Sequence, residues 1–312
     1  MSISDCEYAM KRDQKCNLLI HPKVRESGEY QSISARDAGW ESLNFAAKRM
    51  SGGKKWNYNT NENEFCIVLL GGEFSISSKC GKWKTKYARK DVFSGLPHAA
   101  YLPPHTEFIL TAESETVDFA FGFTKGDDRY KGFFITPKDV QNYGIEFRGG
   151  DNASRQINSI LPPGSKCHKL VCVEVYTPSG NWSSFPAHKH DERKLDKNGR
   201  LLEAKLEEIY FYKFDKPQGF AFQKIYTGDR SLNEIAEPHN NDVVMVPKGY
   251  HPVSAGHGYN TYYLNFLAGS DQSLANSDDP DHKWIYGTWK KMDERLPIVT
   301  LEMNKGIGNE KI

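Results

Sequence analysis

Short runs of aromatic and β-branched residues, each closed by glycine or proline, recur along this chain of 312 residues. Phe65-Cys66-Ile67-Val68-Leu69-Leu70 ends at Gly71-Gly72, and residues 73–77 then alternate before closing at Cys80-Gly81. Residues 118–123 alternate in the same way. Period-two patterning broken by turn residues every few positions predicts an all-β sandwich or barrel. Helix is scarce: only residues 35–50, with unevenly spaced apolar side chains, and one turn over 137–143 are candidates.

One motif order occurs twice. Glu64 precedes an apolar strand and Gly71, and Asp91-Val92-Phe93 later leads to Pro97-His98 and Tyr101-Leu102-Pro103-Pro104-His105. In the second half Glu208 precedes an aromatic strand, and Asp242-Val243-Val244-Met245-Val246 leads to Pro247-Lys248-Gly249-Tyr250-His251. A period near 150 residues is too long for a solenoid and fits two similar domains. The expected boundaries are 1–147, a Gly- and Pro-marked linker over 148–164, and 165–312 with a C-terminal extension. The first copy has Asn57, Tyr58 and Asn59 where the second has His188-Lys189-His190, so it is expected to bind no metal.

Charge balance excludes several classes. Forty-one basic residues face forty acidic ones with no basic stripe, which argues against nucleic acid or an anionic membrane as partner. No run approaches eighteen apolar residues and the N-terminus lacks a signal-peptide core, so a soluble, cytoplasmic protein is expected. Cys6, Cys16, Cys66, Cys80, Cys167 and Cys172 form no Cys-x-x-Cys pair and read as buried or inert thiols.

The stretch 181–219 carries the chemistry. On a strand, His188 and His190 point to one face while Lys189 points away. Glu207-Glu208 opens the run Ile209-Tyr210-Phe211-Tyr212 on an adjacent strand. Glu208 shares its face with Tyr210, Tyr212 and Phe214, a barrel interior, whereas Glu207 shares one with Lys213. His251 supplies a fourth donor. Three imidazoles and one carboxylate suit one divalent ion, Zn or Mn first and Fe or Ni next. The intervening residues 191–207 hold ten charged side chains and read as a solvated loop. His98 and His105 lack a His-x-His partner and read as structural. Phe220, Phe222 and Tyr226 are expected inside the barrel, and one of Tyr250, Tyr262 and Tyr263 is a candidate substrate contact.

His-x-His, a later Glu and a Pro-x-Gly turn reaching His resemble the metal signature of the cupin superfamily. The usual Glu lies three or four residues after the second His, whereas seventeen residues intervene here, and one residue instead of two separates Gly249 from His251. The phrases at 181–191, 206–210, 218–223, 246–253 and 262–269 closely resemble the 5-deoxy-glucuronate isomerases of bacterial myo-inositol catabolism. That resemblance covers nearly the whole chain, more weakly before residue 60. It implies a bicupin, two tandem antiparallel jelly-roll barrels, with His188, His190, Glu208 and His251 as the metal ligands. The implied activity is aldose–ketose isomerisation of 5-deoxy-D-glucuronate to 5-dehydro-2-deoxy-D-gluconate. The family is similar to the 4-deoxy-5-keto-uronate isomerases of pectin breakdown.

Such a reaction needs a polarised carbonyl and a base that carries a proton between adjacent carbons through an enediol. Glu192, Tyr212 and Tyr250 are the candidate bases. A uronate substrate also calls for a cation, with Lys248 first and Arg193 second. Two further readings use the same four ligands: a cupin dioxygenase holding Fe, and a sugar-binding or regulatory bicupin without turnover. A homo-oligomer is compatible with all three.

Overall fold

The strand-forming runs build two antiparallel barrels in a computed structural model that describes residues 17–78 and 83–305. The first half contains β1 (Leu19–Ile20), β2 (Gly28–Ile33), β3 (Asn44–Ser51), β4 (Lys55–Asn59) and β5 (Asn63–Ser78). It continues with β6 (Trp83–Arg89), β7 (Ala99–Leu102), β8 (Glu107–Ala112), β9 (Thr116–Lys125) and β10 (Phe133–Ile135). Helix α1 (Pro137–Tyr143) follows, capped by Thr136 and Asp139 in a reciprocal capping box.

The second half contains β11 (Ile145–Arg148), β12 (Arg155–Leu161), β13 (Val171–Thr177), β14 (Trp182–Ser183) and β15 (His188–Lys189). Next come β16 (Asp191–Leu195), β17 (Leu201–Phe214), β18 (Ala221–Tyr226) and β19 (Asn233–Ala236). The last are β20 (Val243–Val246), β21 (Val253–Ala255), β22 (Thr261–Gly269) and β23 (Ser277–Asp278).

The two large sheets order β10-β7-β5-β9-β3-β2 and β1-β20-β17-β22-β13-β12-β11, so β1 closes the edge of the second barrel's large sheet, and smaller sheets order β14-β21-β18-β19 and β15-β23. Alternation along the central strands divides the apolar residues between three cores. On β5, Cys66, Val68 and Leu70 face the second barrel, while Phe65, Ile67 and Leu69 fill the first. On β17, Ile209 and Phe211 face the first barrel, while Tyr210, Tyr212 and Phe214 fill the second. The two sheets therefore share one continuous apolar layer. Gly122 belongs to it because any Cβ there would meet the Phe266 ring at 2.4 Å.

Polar staples cross that layer. The fully buried Arg89 makes a two-pronged ion pair with Glu174 at 2.7 and 3.1 Å, and its terminal nitrogens also donate to the carbonyls of Leu69, Val92 and Gly95. Glu64 accepts the backbone N–H groups of His168, Lys169 and Leu170 and the Tyr101 hydroxyl. Glu207 accepts those of Glu41, Ser42 and Leu43 in return.

Several expectations need correction. Residues 35–50 are not helical: they form a turn and then β3, paired on both edges and with Phe45 and Ala47 in one core and Ala46 in another. The glycines and prolines of 148–164 bracket β12, whose seven residues are all buried, instead of marking a linker. The charged stretch 191–207 forms a hairpin of β16 on β17, because its charges pair with one another and with Glu203. Phe222 is exposed, and Ala221, Gln223 and Ile225 take the inward positions of β18. Cys66, Cys167 and Cys172 are buried free thiols; Cys6, Cys16 and Cys80 lie outside the described residues. Among the described residues, no helix is long and apolar enough to cross a membrane.

Candidate metal centre

Four elements bring the donors together. His188 lies on β15, paired with Asp278 of β23. His190 follows, and its carbonyl accepts the Leu206 N–H at 2.8 Å, docking it beside β17. Glu208 sits on β17 between Val246 of β20 and Leu267 of β22. His251 arrives after the turn Pro247-Lys248-Gly249. Gly249 has φ +87°, and a Cβ there would lie 2.4 Å from the Tyr226 carbonyl, so this turn requires glycine. Asp191 ties the two histidine segments together by accepting the Gly249 N–H at 2.7 Å.

The ring centroids of His188 and His251 are 4.9 Å apart, and those of His190 and His251 5.0 Å. Glu208 Oε2 lies 2.9 Å from His190 Nε2 and 3.3 Å from His251 Nε2. The Leu206 carbonyl faces His190 Nδ1 at 3.2 Å, and the Gly249 carbonyl faces His251 Nδ1 at 2.8 Å. A carbonyl only accepts, so each Nδ1 carries the proton and each neutral ring turns an Nε2 lone pair toward the carboxylate. Lone pairs facing a carboxylate oxygen repel unless a cation or proton stands between them. The second contact is too far off line for a hydrogen bond, which leaves the buried His251 Nε2 without a partner. Two donors held at about 2.1 Å around one ion, at right angles, stand about 3 Å apart. The arrangement fits a metal ion, and the three histidines are positioned to hold one.

The electrostatics agree. Burial, reinforced by His251 and His190, holds His188 well below its usual range and therefore neutral. Burial alone would raise the Glu208 pKa, but His190 and His251 overcome it and keep the group a carboxylate. Burial lowers and Glu208 raises the pKa of His190, and the carboxylate wins. That preference for a positive charge between His190 and Glu208 is what a metal would satisfy.

His188, His190 and Glu208 open into a small cavity of about 70 Å³, whose wall includes Arg155, Ser184, Tyr210, Tyr263, Glu146 and Arg148, while His251 is fully buried. A larger surface groove of about 610 Å³, around Arg49, Lys90 and Lys213, contains none of the four donors. We assign the chemistry to the smaller space because three of the four donors line it.

The other expected site residues lie elsewhere. Glu192 is exposed and paired with Lys194. Arg193 is turned outward in a two-pronged pair with Asp271, and Lys248 is exposed. Tyr212 donates to Gln223 deeper in the barrel, at 2.8 Å. Tyr250 packs with Ala187 and Tyr226 outside the cavity wall. Of the three tyrosines near the motif, Tyr263 faces the cavity, while Tyr262 donates to Glu174 in the layer between the barrels. Arg155 and Arg148 went unread because the glycines and prolines around them suggested a linker. The signal was an arginine opening a strand-like run, Arg155-Gln156-Ile157-Asn158-Ser159-Ile160.

Residues 18–285 match the model of the KduI/IolB family. The chain belongs to that family. A KduI/IolB relative from Geobacillus kaustophilus, named 5-deoxy-glucuronate isomerase, is 39% identical over 261 residues, 83% of this chain and 91% of its own. A solved IolB-like protein from Salmonella typhimurium LT2 is 37% identical with a TM-score of 0.78, covering 86% of this chain and 99% of that one. Oxalate decarboxylase from Bacillus subtilis shares the architecture at 13% identity and a TM-score of 0.56, over 84% of this chain and 79% of its own. This last likeness speaks to the KduI/IolB fold, a bicupin, and to nothing else.

Proposed function

We propose that the chain is a metal-dependent aldose–ketose isomerase that converts 5-deoxy-D-glucuronate to 5-dehydro-2-deoxy-D-gluconate. The observation that carries this reading is the clustering of His188, His190, His251 and Glu208, three of them on the wall of one cavity, in a chain of this family. A divalent ion held there supplies Lewis-acid polarisation of the sugar carbonyl, which acidifies the neighbouring C–H.

The chain's own residues do the rest. Burial holds the Tyr210 and Tyr263 phenols protonated, so they are hydrogen-bond donors to an oxygen on which charge builds. Glu146 is the carboxylate on the wall besides Glu208, and Arg148 engages only its Oε2. We prefer Glu146 Oε1 as the base, moving a proton from C2 to C1 through an enediol, over Glu192, Tyr212 and Tyr250, which are off the wall. Ile157, directly across the ladder from Glu146, together with Val173 and Val175 makes the neighbouring wall apolar and limits water there.

The test is turnover of 5-deoxy-glucuronate and 4-deoxy-5-keto-uronate in deuterated water, with metal content measured on the same sample. The expected result is faster turnover of the first, solvent deuterium in its product, and loss of activity on chelation. Undiminished turnover after complete metal removal would sink the proposal.

A further inference from the structure

Arg155 is 8% exposed, opens β12, and shares the cavity wall with His188 and Glu208. Its strand alternates cleanly: Arg155, Ile157 and Ser159 face the cavity, while Gln156 turns away to bond Val299. Among the described residues the guanidinium has neither an ion pair nor a hydrogen bond, and the charged or phenolic groups that act on it most strongly are Tyr263, Arg148, Tyr210 and Tyr286. Directly across the ladder stands another arginine, Arg148, a like-charge juxtaposition that destabilises a sheet. Arg148 is already neutralised by Glu146. The same fold gives another buried arginine, Arg89, a carboxylate, three carbonyls and a phenol as partners. A buried, unpartnered guanidinium is costly, and such a cost at a cavity wall marks a place where a ligand completes the pairing.

We infer that Arg155 is the carboxylate-recognising residue of this cavity, binding the acid end of a sugar acid while its other end reaches the histidines. The planar fork of a guanidinium matches a carboxylate with two parallel hydrogen bonds, which a neutral hydroxymethyl group cannot reproduce. Arg155 thus selects sugar acids over neutral aldoses, in place of the exposed Lys248 and Arg193. The inference deepens the isomerase reading and rests on the cavity being its sugar site.

The experiment separates the two. Binding of D-glucuronate and D-glucose to metal-loaded wild-type protein, Arg155→Met and Arg155→Lys is measured by calorimetry, with metal content and Tm alongside. Wild type is expected to prefer the acid, and Arg155→Met to lose that preference by about 10²-fold with metal content unchanged. Arg155→Lys keeps the charge without the fork and recovers only part of it. Removing an unpaired buried charge should also leave the ligand-free Tm unchanged or higher, whereas a structural arginine would lower it. An acid preference that survives in Arg155→Met, or its absence in wild type, overturns the inference. A clear fall in ligand-free Tm does the same. Turnover of 5-deoxy-glucuronate by wild type is scored separately: its absence, with acid binding intact, would remove the isomerase reading and leave Arg155 as a carboxylate site.

Discussion

β5 and β17 occupy the same place in the two barrels and differ by one residue that matters. Phe65 pairs with Leu102 and Phe123, as Glu208 pairs with Val246 and Leu267, and both Leu102 and Val246 are followed by proline. The residue before each is a glutamate with the same task. Glu64 and Glu207 each gather three backbone N–H groups from the opposite barrel. One step further, the inward positions part company. Glu208 meets the imidazoles of His190 and His251; Phe65 stacks on Phe123 at 4.6 Å beside an aromatic cluster of Trp56, Phe108 and Phe121. Because side chains alternate, the acid that joins the barrels and the acid that serves the site can be neighbours without sharing an environment. One barrel spends its interior on packing, the other on donors.

The strongest way to break that contrast is to remove a donor. Glu208→Gln and His251→Ala should each lower turnover by on the order of 10³-fold or more and deplete metal while the circular-dichroism spectrum stays native. In the first barrel His98→Ala and His105→Ala should leave metal content unchanged. Counting from Leu102 and Val246, His105 stands where Gly249 does, at φ 59°, so it is a turn residue and not the counterpart of His251. Metal lost from either first-barrel variant, or retained in His251→Ala, would end the assignment of unequal roles.

Next in size is the pair that crosses the interface. Arg89→Met strands the buried Glu174 and should cost about 3–5 kcal/mol in urea denaturation. Metal content measured in the folded fraction should not change. A loss below about 1 kcal/mol would mean that Tyr176 and Tyr262, both hydrogen-bonded to Glu174, suffice to hold it.

Glu64→Ala and Glu207→Ala sharpen the comparison further. Each leaves three backbone N–H groups without their acceptor, and each should lose about 2–4 kcal/mol of stability, Glu64→Ala the more because the Tyr101 hydroxyl loses its acceptor as well. If Glu207→Ala alone depleted metal, the two faces of β17 would be coupled and the separation argued above would fail.

What could be read beforehand follows from the same geometry. The facing of Glu208 was legible because a period of two converts sequence position into side of sheet, and Tyr210, Tyr212 and Phe214 named the side. His188 and His190 were legible for the same reason. β3 was not, since a strand paired on both flanks and covered on both faces loses its alternation, and Phe45, Ala46 and Ala47 are all buried. Arg155 was hidden because Gly149-Gly150 and Pro162-Pro163-Gly164 punctuate a strand in the same language that marks a linker. The cavity wall combines β11, β12, β13, β17 and β22, strands separated by up to about a hundred residues, and no local pattern encodes that meeting.

The smallest effect concerns the hairpin that separates His190 from Glu208. In the first barrel β4 and β5 are joined by a short turn, residues 60–62, whereas here β16 and the start of β17 intervene. Glu203 anchors the insertion: fully buried, it accepts Lys189, Lys194, Ser277 and the backbone N–H groups of Asp191 and Glu192. Lys189 stands between the two histidines, and Asp191 reaches the turn that carries His251, so Glu203 positions donors without touching them. Burial would raise its pKa, but Ser277, Lys189 and Lys194 prevail and hold it at about 2 against an ordinary 4.5. A depressed carboxyl contributes stability that is complete above about pH 4.5 and is lost as pH falls toward 2. Glu203→Gln should therefore weaken metal binding by about 10-fold, as loosened supporting contacts do. It should cost about 1–2 kcal/mol at pH 7. It should also flatten the decline of stability between pH 4.5 and 2, measured by urea midpoints across that range. A variant that keeps both the wild-type metal affinity and the wild-type acid decline would show that the insertion decorates the site and does not hold it.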